Sequence, residues 1–210
     1  MSVSDQARID ATVEDLSPYA RIRLAALTLF SERGVDRTSV RAVAEEAGVS
    51  PGLVQHYFPS KSALRDAVDR YVLEVGQAAF SELPREGTSS TDRVEAISHR
   101  VTALFRDRIR GQRYVARGLI DHDDRAIAAF DATFETIKDL IEEDIRDGRA
   151  RPDLDVTWTV LQIVVYHLGV VLLEHAINRH LPDPVRSEAG LERWRRNSVD
   201  FYRRALYHTS

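Results

Sequence analysis

The sequence predicts an all-α chain of about nine helices, with a small N-terminal head followed by a larger helical body. Two observations carry this. Apolar residues recur three and four apart along almost every segment, the mark of a helix with one buried face. The segments also open on Ser, Thr or Asp and close on Gly or Pro, which are helix start and stop signals. At 210 residues the chain exceeds the usual size of one compact domain. The expected divisions are a mobile arm over 1–16, a head over 17–62 and a body over 63–210.

Residues 1–16 are polar and hold no stable period, so a mobile arm is expected there. Ser17-Pro18 is a cap followed by a first-position proline. Ile22, Ala25, Ala26, Leu29 and Phe30 then form an apolar stripe that ends near Gly34. Arg21 and Arg23, near its start, are placed to meet either phosphate or solvent. Thr38 is the expected cap of a second helix, whose apolar face is Val40, Val43, Ala44 and Ala47. Gly48 is placed to end it in a left-handed conformation. Ser50 caps a third helix, with Pro51 at its first position. Leu53, Val54 and Tyr57 can turn inward, while Pro51, Gly52, Gln55 and His56 are left outside. Helices this short do not stand alone in water. Two of them about a sharp glycine turn have the form of a helix-turn-helix.

Residues Pro18 to Val72 resemble the N-terminal DNA-binding domain of the TetR/AcrR family of transcriptional regulators. The resemblance rests on A-x-x-A-G-V-S at Ala44 to Ser50, H-Y-F-P-S-K at His56 to Lys61, Leu64, and the preceding ALTLFSERG helix end. The first run alone fits many helix-turn-helix proteins; the two together are specific. The second helix of such a motif enters the major groove and reaches base edges with its N-terminal residues. Carried over position by position, the resemblance implies that Ser50, Pro51, Gly52, Gln55 and His56 face DNA. Tyr57 and Lys61 match phosphate-contacting positions, and Ser39 and Arg41 lie where they can clamp backbone or read a base. Gln55 is the best base reader, because its amide both donates to and accepts from adenine. The family often carries an aromatic residue there, so Gln55 is a departure.

Phe58-Pro59 ends the third helix, and Ser60 caps a fourth over Lys61 to about Phe80. Pro84, Gly87 and Ser89-Ser90 mark a loop. Thr91 or Asp92 opens the next helix, with Val94, Ile97, Val101, Leu104 and Phe105 inward. Gly111 is expected to break it before a short helix near Tyr114 to Ile120. A long helix over Asp123 to Asp147 turns Ile127, Phe130, Phe134, Ile137, Leu140, Ile141 and Ile145 to one side, and Gly148 ends it. With Asp155 as cap, Val156 to His180 is apolar almost all round and needs cover on several sides. Pro182 and Pro184 end that helix. The last runs over Ser187 to Tyr207 and shows Leu191, Trp194, Val199, Phe201, Tyr202, Ala205 and Leu206. The resemblance implies a homodimer through the last two long helices, and a body that holds a small-molecule effector. Phe105, Phe130, Phe134, Trp158 and Tyr166, with the polar Gln162 and His167, are the candidate pocket residues.

The net charge is −4, yet Pro18 to Arg70 carries eight Lys/Arg against six Asp/Glu. That mildly basic head leans on dimerisation and fitted contacts more than on bulk charge. The chain has no cysteine, which rules out disulfides and thiolate metal sites and suits a cytoplasmic protein. The longest apolar run, Val160 to Leu173, is interrupted by Gln162 and His167 and falls short of the roughly 18 residues of a membrane span. Neither a phosphate-binding glycine loop nor a nucleophile motif is present, and Asp121-His122-Asp123-Asp124 lacks the spacing to share one site. No enzyme activity, metal or cofactor is therefore expected. The reading is a ligand-responsive DNA-binding regulator, a repressor released from its operator by an effector. The alternative is a helical ligand-binding or interaction module without DNA binding.

Overall fold

A computed structural model describes residues 16–81 and 90–207. The arm expected over 1–16, save Leu16, and most of the loop expected around Pro84 and Gly87 lie outside them. The described residues form ten helices and no strand: α1 Pro18–Arg33, α2 Val40–Ala47, α3 Pro51–Tyr57, α4 Lys61–Ser81, α5 Ser90–Asp107, α6 Ile109–Ile120, α7 Asp124–Arg146, α8 Val156–Leu172, α9 Glu174–Ile177 and α10 Glu188–Leu206. The tenth is the one-turn α9, where the expected Val156 to His180 helix breaks at Leu173. The chain divides into two compact units after Val72, within α4. The boundary expected at 62/63 lies in the first turn of the same helix.

In the first unit the buried side chains are those of the three-and-four periodicity. Ile22, Ala26, Leu29 and Phe30 of α1, Val43 and Ala44 of α2, Val54 of α3 and Leu64 and Val68 of α4 are all enclosed. Burying a side chain such as Val54 contributes about 1.5–3 kcal/mol. Thr38 is not the cap of α2. Its hydroxyl is buried and donates to the Gly34 carbonyl at 2.8 Å, closing the turn after α1. Ser39 caps α2 instead, accepting from the Ala42 N–H at 3.1 Å. Tyr57 does not turn fully inward; it is 37% exposed.

The second unit is held by α5 on α10, α7 on α8, and α6 on α7 and α8. Gly111 does not break a helix. The break comes at Arg108, and Gly111 lies in the first turn of α6. Asp123, Asp155 and Ser187 cap α7, α8 and α10 through their side-chain oxygens. Ile127, expected on the apolar side of its helix, is outside, and Phe201 of the last helix is 63% exposed. Their stripes are wider than the faces that neighbouring helices cover.

The unit also encloses an ionic cluster. Arg93 of α5 is 0% exposed, and its guanidinium meets Asp144 of α7 at 2.9 Å and Glu143 at 3.3 Å. Asp144 also takes Arg149 Nε at 2.8 Å and the Tyr207 hydroxyl at 2.7 Å. Backbone contacts secure the same end. Arg151 N–H donates to the Leu206 carbonyl at 2.9 Å, and Ala150 pairs with Tyr207 in an isolated bridge. The chain after α10 is thereby fastened to the turn after α7.

Candidate nucleic-acid interface and effector site

The turn between α2 and α3 is built by three devices. Gly48 takes φ 64° and ψ 39°, the left-handed conformation, and the Val49 N–H reaches back to the Ala44 carbonyl at 2.9 Å. Arg21, reaching over from α1, donates to the Ala47 carbonyl at 2.8 Å and to the Gly48 carbonyl at 3.4 Å. It thus satisfies acceptors that the end of α2 leaves without partners. The Ser50 hydroxyl then accepts from the Leu53 N–H at 3.2 Å and starts α3, with Pro51 where no N–H is needed. α3 stops at Phe58, the residue before Pro59.

Val54 fixes α3 by its buried side, leaving the rest of the helix open. Pro51, Gly52, Gln55 and His56 are exposed, as are Ser39, Arg41 and Ser50. Ser39 and Ser50 are committed to their caps, so each offers only remaining hydroxyl capacity. Tyr57 stands edge-on to Tyr19 of α1 and to His56, with ring centroids at 6.2 and 5.2 Å. Tyr19 also lies against Phe58 at 4.8 Å. Lys61 is half-buried, and its Nζ donates to the Asp36 carbonyl at 3.1 Å. Arg23 sits over the Tyr71 ring at 4.1 Å, and Arg21 caps α2, so neither is a loose surface charge. Sequence reasoning missed Tyr19 and Arg21 as supports of the motif, because both act across helices rather than along one.

The seven candidate pocket residues of the second unit separate into three places. Phe105, Tyr166 and His167 share one aromatic cluster with Trp194 and Tyr202 of α10. Phe105 to Trp194 is 4.4 Å, His167 to Trp194 5.6 Å, and His167 stacks on Tyr202 at 6.1 Å. Phe130 and Phe134 pack instead against the core of Ile141, Val160 and Val164. Trp158 and Gln162 are exposed on α8, Trp158 at 63%.

The aromatic cluster has a polar interior. Trp194 Nε1 donates to the Tyr166 hydroxyl at 2.9 Å. His167 Nδ1 lies 2.7 Å from the Ile163 carbonyl, which only accepts, so Nδ1 carries the proton and Nε2 keeps a lone pair. Burial lowers the His167 pKa below the usual histidine range, and the Ile163 carbonyl only partly offsets this. Burial likewise raises the Tyr202 pKa. Among the described residues, the shielded Tyr202 hydroxyl and Ser198 Oγ have no hydrogen-bond partner. Trp194, Ser198 and Tyr202 are four apart on α10, a spacing that puts them on one face. That spacing was the available signal for this half of the cluster. The described residues contain no group of three or more metal-ligating side chains, and no helix long and apolar enough to cross a membrane.

Residues 22–68 match the family model described as bacterial regulatory proteins, tetR family. The chain is 30% identical to the HTH-type transcriptional regulator UidR of Escherichia coli over 156 residues, 72% of this chain and 78% of that protein. It is 28% identical to the HTH-type transcriptional repressor KstR2 of Rhodococcus jostii over 145 residues, 62% of this chain and 67% of that one. Among solved structures, the ketosteroid transcriptional regulator KstR2 of Mycobacterium tuberculosis superposes with a TM-score of 0.70 at 18% identity, covering 92% of this chain and 96% of that chain. At that identity the likeness shows the fold.

Proposed function

This chain belongs to the tetR family of bacterial regulatory proteins and is a DNA-binding transcriptional regulator; from that premise we propose that it is a homodimeric repressor released from its operator by a small molecule. The observation that carries the dimer is the free side of α8. Trp158, Gln162, Val165, Tyr166 and Leu172 fall at helical spacing, and all are exposed. Gly169, on the same helix, has open space where a side chain would stand. Phe201 adds a 63% exposed ring on α10. An apolar surface of this extent on a charged protein favours a partner, and a second copy of α8 and α10 supplies a matching face.

Two heads held by such a dimer reach successive major grooves about 34–36 Å apart. In each, Gln55 reads a base and His56 and Arg41 reach bases or backbone, while Tyr57 and Lys61 meet phosphate. Lys61 exchanges the Asp36 carbonyl for a charged oxygen, a stronger partner for an ammonium. The effector is received at the His167–Tyr202 cluster, where its polar group meets the unpaired Tyr202 and Ser198 hydroxyls. Operator release follows by linkage, if the effector binds the DNA-incompetent spacing of the heads more tightly. The test combines sedimentation with mobility shift on the DNA upstream of the protein's own gene. A dimer that shifts this DNA and not a scrambled duplex is expected. A stable monomer, or no shift at low salt, refutes the reading.

A further inference from the structure

We infer that the second unit carries an oxyanion-binding site formed by Arg186 together with Arg110 and Arg113 of α6. It deepens the effector reading above, and rests on that reading only for its consequence on DNA. Arg186 is half-buried, and its shielded Nε has no hydrogen-bond partner among the described residues. A guanidinium in that position holds an unused donor in a place water reaches poorly.

The charges around it do not balance. Glu174 is the carboxylate within its field, and Arg113 already engages that carboxylate, Nη2 to Oε2 at 2.6 Å. Arg113 and Arg110 both repel Arg186. Burial is the largest influence and works against its charge, Glu174 supports it, and the two arginines oppose it, so its pKa is lowered. Arg113 thus already holds the carboxylate that supports Arg186, while Arg110 adds a further positive charge. A bound oxyanion relieves the repulsion and takes the free Nε in a charge-assisted hydrogen bond.

The site is also held in place. Val185 is 3% exposed and belongs to the core of Phe105, Ile109 and Trp194. Its N–H donates to Asn178 Oδ1 at 2.8 Å, and the Ser187 N–H donates to the Pro184 carbonyl at 2.9 Å. A Cβ on Gly190 would run into Pro184, so the start of α10 presses closely on this loop. Ile109, the residue before Arg110, is buried in the same core. Arg186 and Arg110 are therefore each anchored by a neighbour in one apolar cluster, which pre-organises them for a ligand.

Carboxylate and phosphate share the required chemistry, and calorimetry on the full chain separates them. Octanoate and pyrophosphate are titrated at low ionic strength, with octanol as the uncharged control. Binding of at least one anion, without octanol, is expected, and the anion that binds identifies the source. Arg186→Gln is expected to weaken that binding about tenfold or more, the loss of one charged hydrogen bond. Arg110→Gln, at an exposed position, reports on the same site should Arg186→Gln fail to fold. Absence of binding by both anions, or unchanged affinity in the variants, overturns the site. Binding that leaves operator affinity unchanged supports the site and refutes its part in release.

Discussion

Asp144→Ala tests the ionic cluster that fastens the end of the chain. The native carboxylate is 3% exposed, accepts hydrogen bonds from Arg149 Nε at 2.8 Å and the Tyr207 hydroxyl at 2.7 Å, and forms an ion pair with Arg93 Nε at 2.9 Å. Removing it takes from Arg93, 0% exposed, the nearer of these two acidic partners and leaves Glu143 at 3.3 Å. Arg149 is less affected, since it keeps Asp147 at 2.7 Å. Breaking one side of a buried pair costs about 3–5 kcal/mol. For a chain of this size that lowers Tm by about 6–20 °C, at about 2–4 °C per kcal/mol. Thermal unfolding followed by circular dichroism, with urea titration alongside, measures it. Removing both partners together, as Arg93→Met with Asp144→Leu, leaves no stranded charge and is expected to recover most of the loss. Glu143, already partly solvated, then turns to water. An Asp144→Ala variant within about 1 kcal/mol of the parent refutes the reasoning. So does a double variant as unstable as the single one.

Four further outcomes follow from the geometry. Gln55→Ala is expected to relax specificity at one base position by about 1–3 kcal/mol, read from binding curves on operator and single-base variants. Lys61→Ala is expected to weaken all sequences alike and reduce the salt slope by about 1, and an unchanged slope removes Lys61 from the phosphate contacts. Val165→Glu with Phe201→Glu places charge on the apolar face and is expected to give a folded monomer with loss of operator binding, seen by sedimentation and mobility shift. Acidification should destabilise the fold through His167. Its folded pKa is lowered, so the unfolded chain binds more protons as pH falls. The stabilising effect is complete above about pH 6.5, the ordinary histidine value, and fades as pH falls toward the folded pKa. His167→Phe should flatten that part of the stability profile relative to the parent.

The first unit was legible because its signals are local. Ser50, Pro51 and Gly48 each act within one turn of themselves, and their effects followed from residue type. Thr38 and Ser39 are adjacent, both able to cap, and only the bond of the buried Thr38 hydroxyl to the Gly34 carbonyl decides which hydroxyl is free to do so. Gly111 misled because a glycine can sit in a helix when tertiary contacts hold it. In the second unit, periodicity shows how much of a helix is apolar but not what covers each side. Trp158 and Phe105 look alike in sequence; one is mostly exposed and the other buried. Arg93 and Asp144 lie fifty-one residues apart and carry no pattern that announces a buried pair.

The clasp of Arg21 on the carbonyls of Ala47 and Gly48 separates two tasks within the head. The attitude of α3 is set from behind, by α1 and by Val54, and by the Ser50 cap and the Tyr57–Tyr19 contact at its two ends, with no part for Gln55. Gln55 is thus free to be exchanged without unsettling the support beneath it. With Gln55 as the proposed base reader, a lineage that duplicates this gene would change its DNA address by substitution there, and divergence of target need not pass through unstable intermediates.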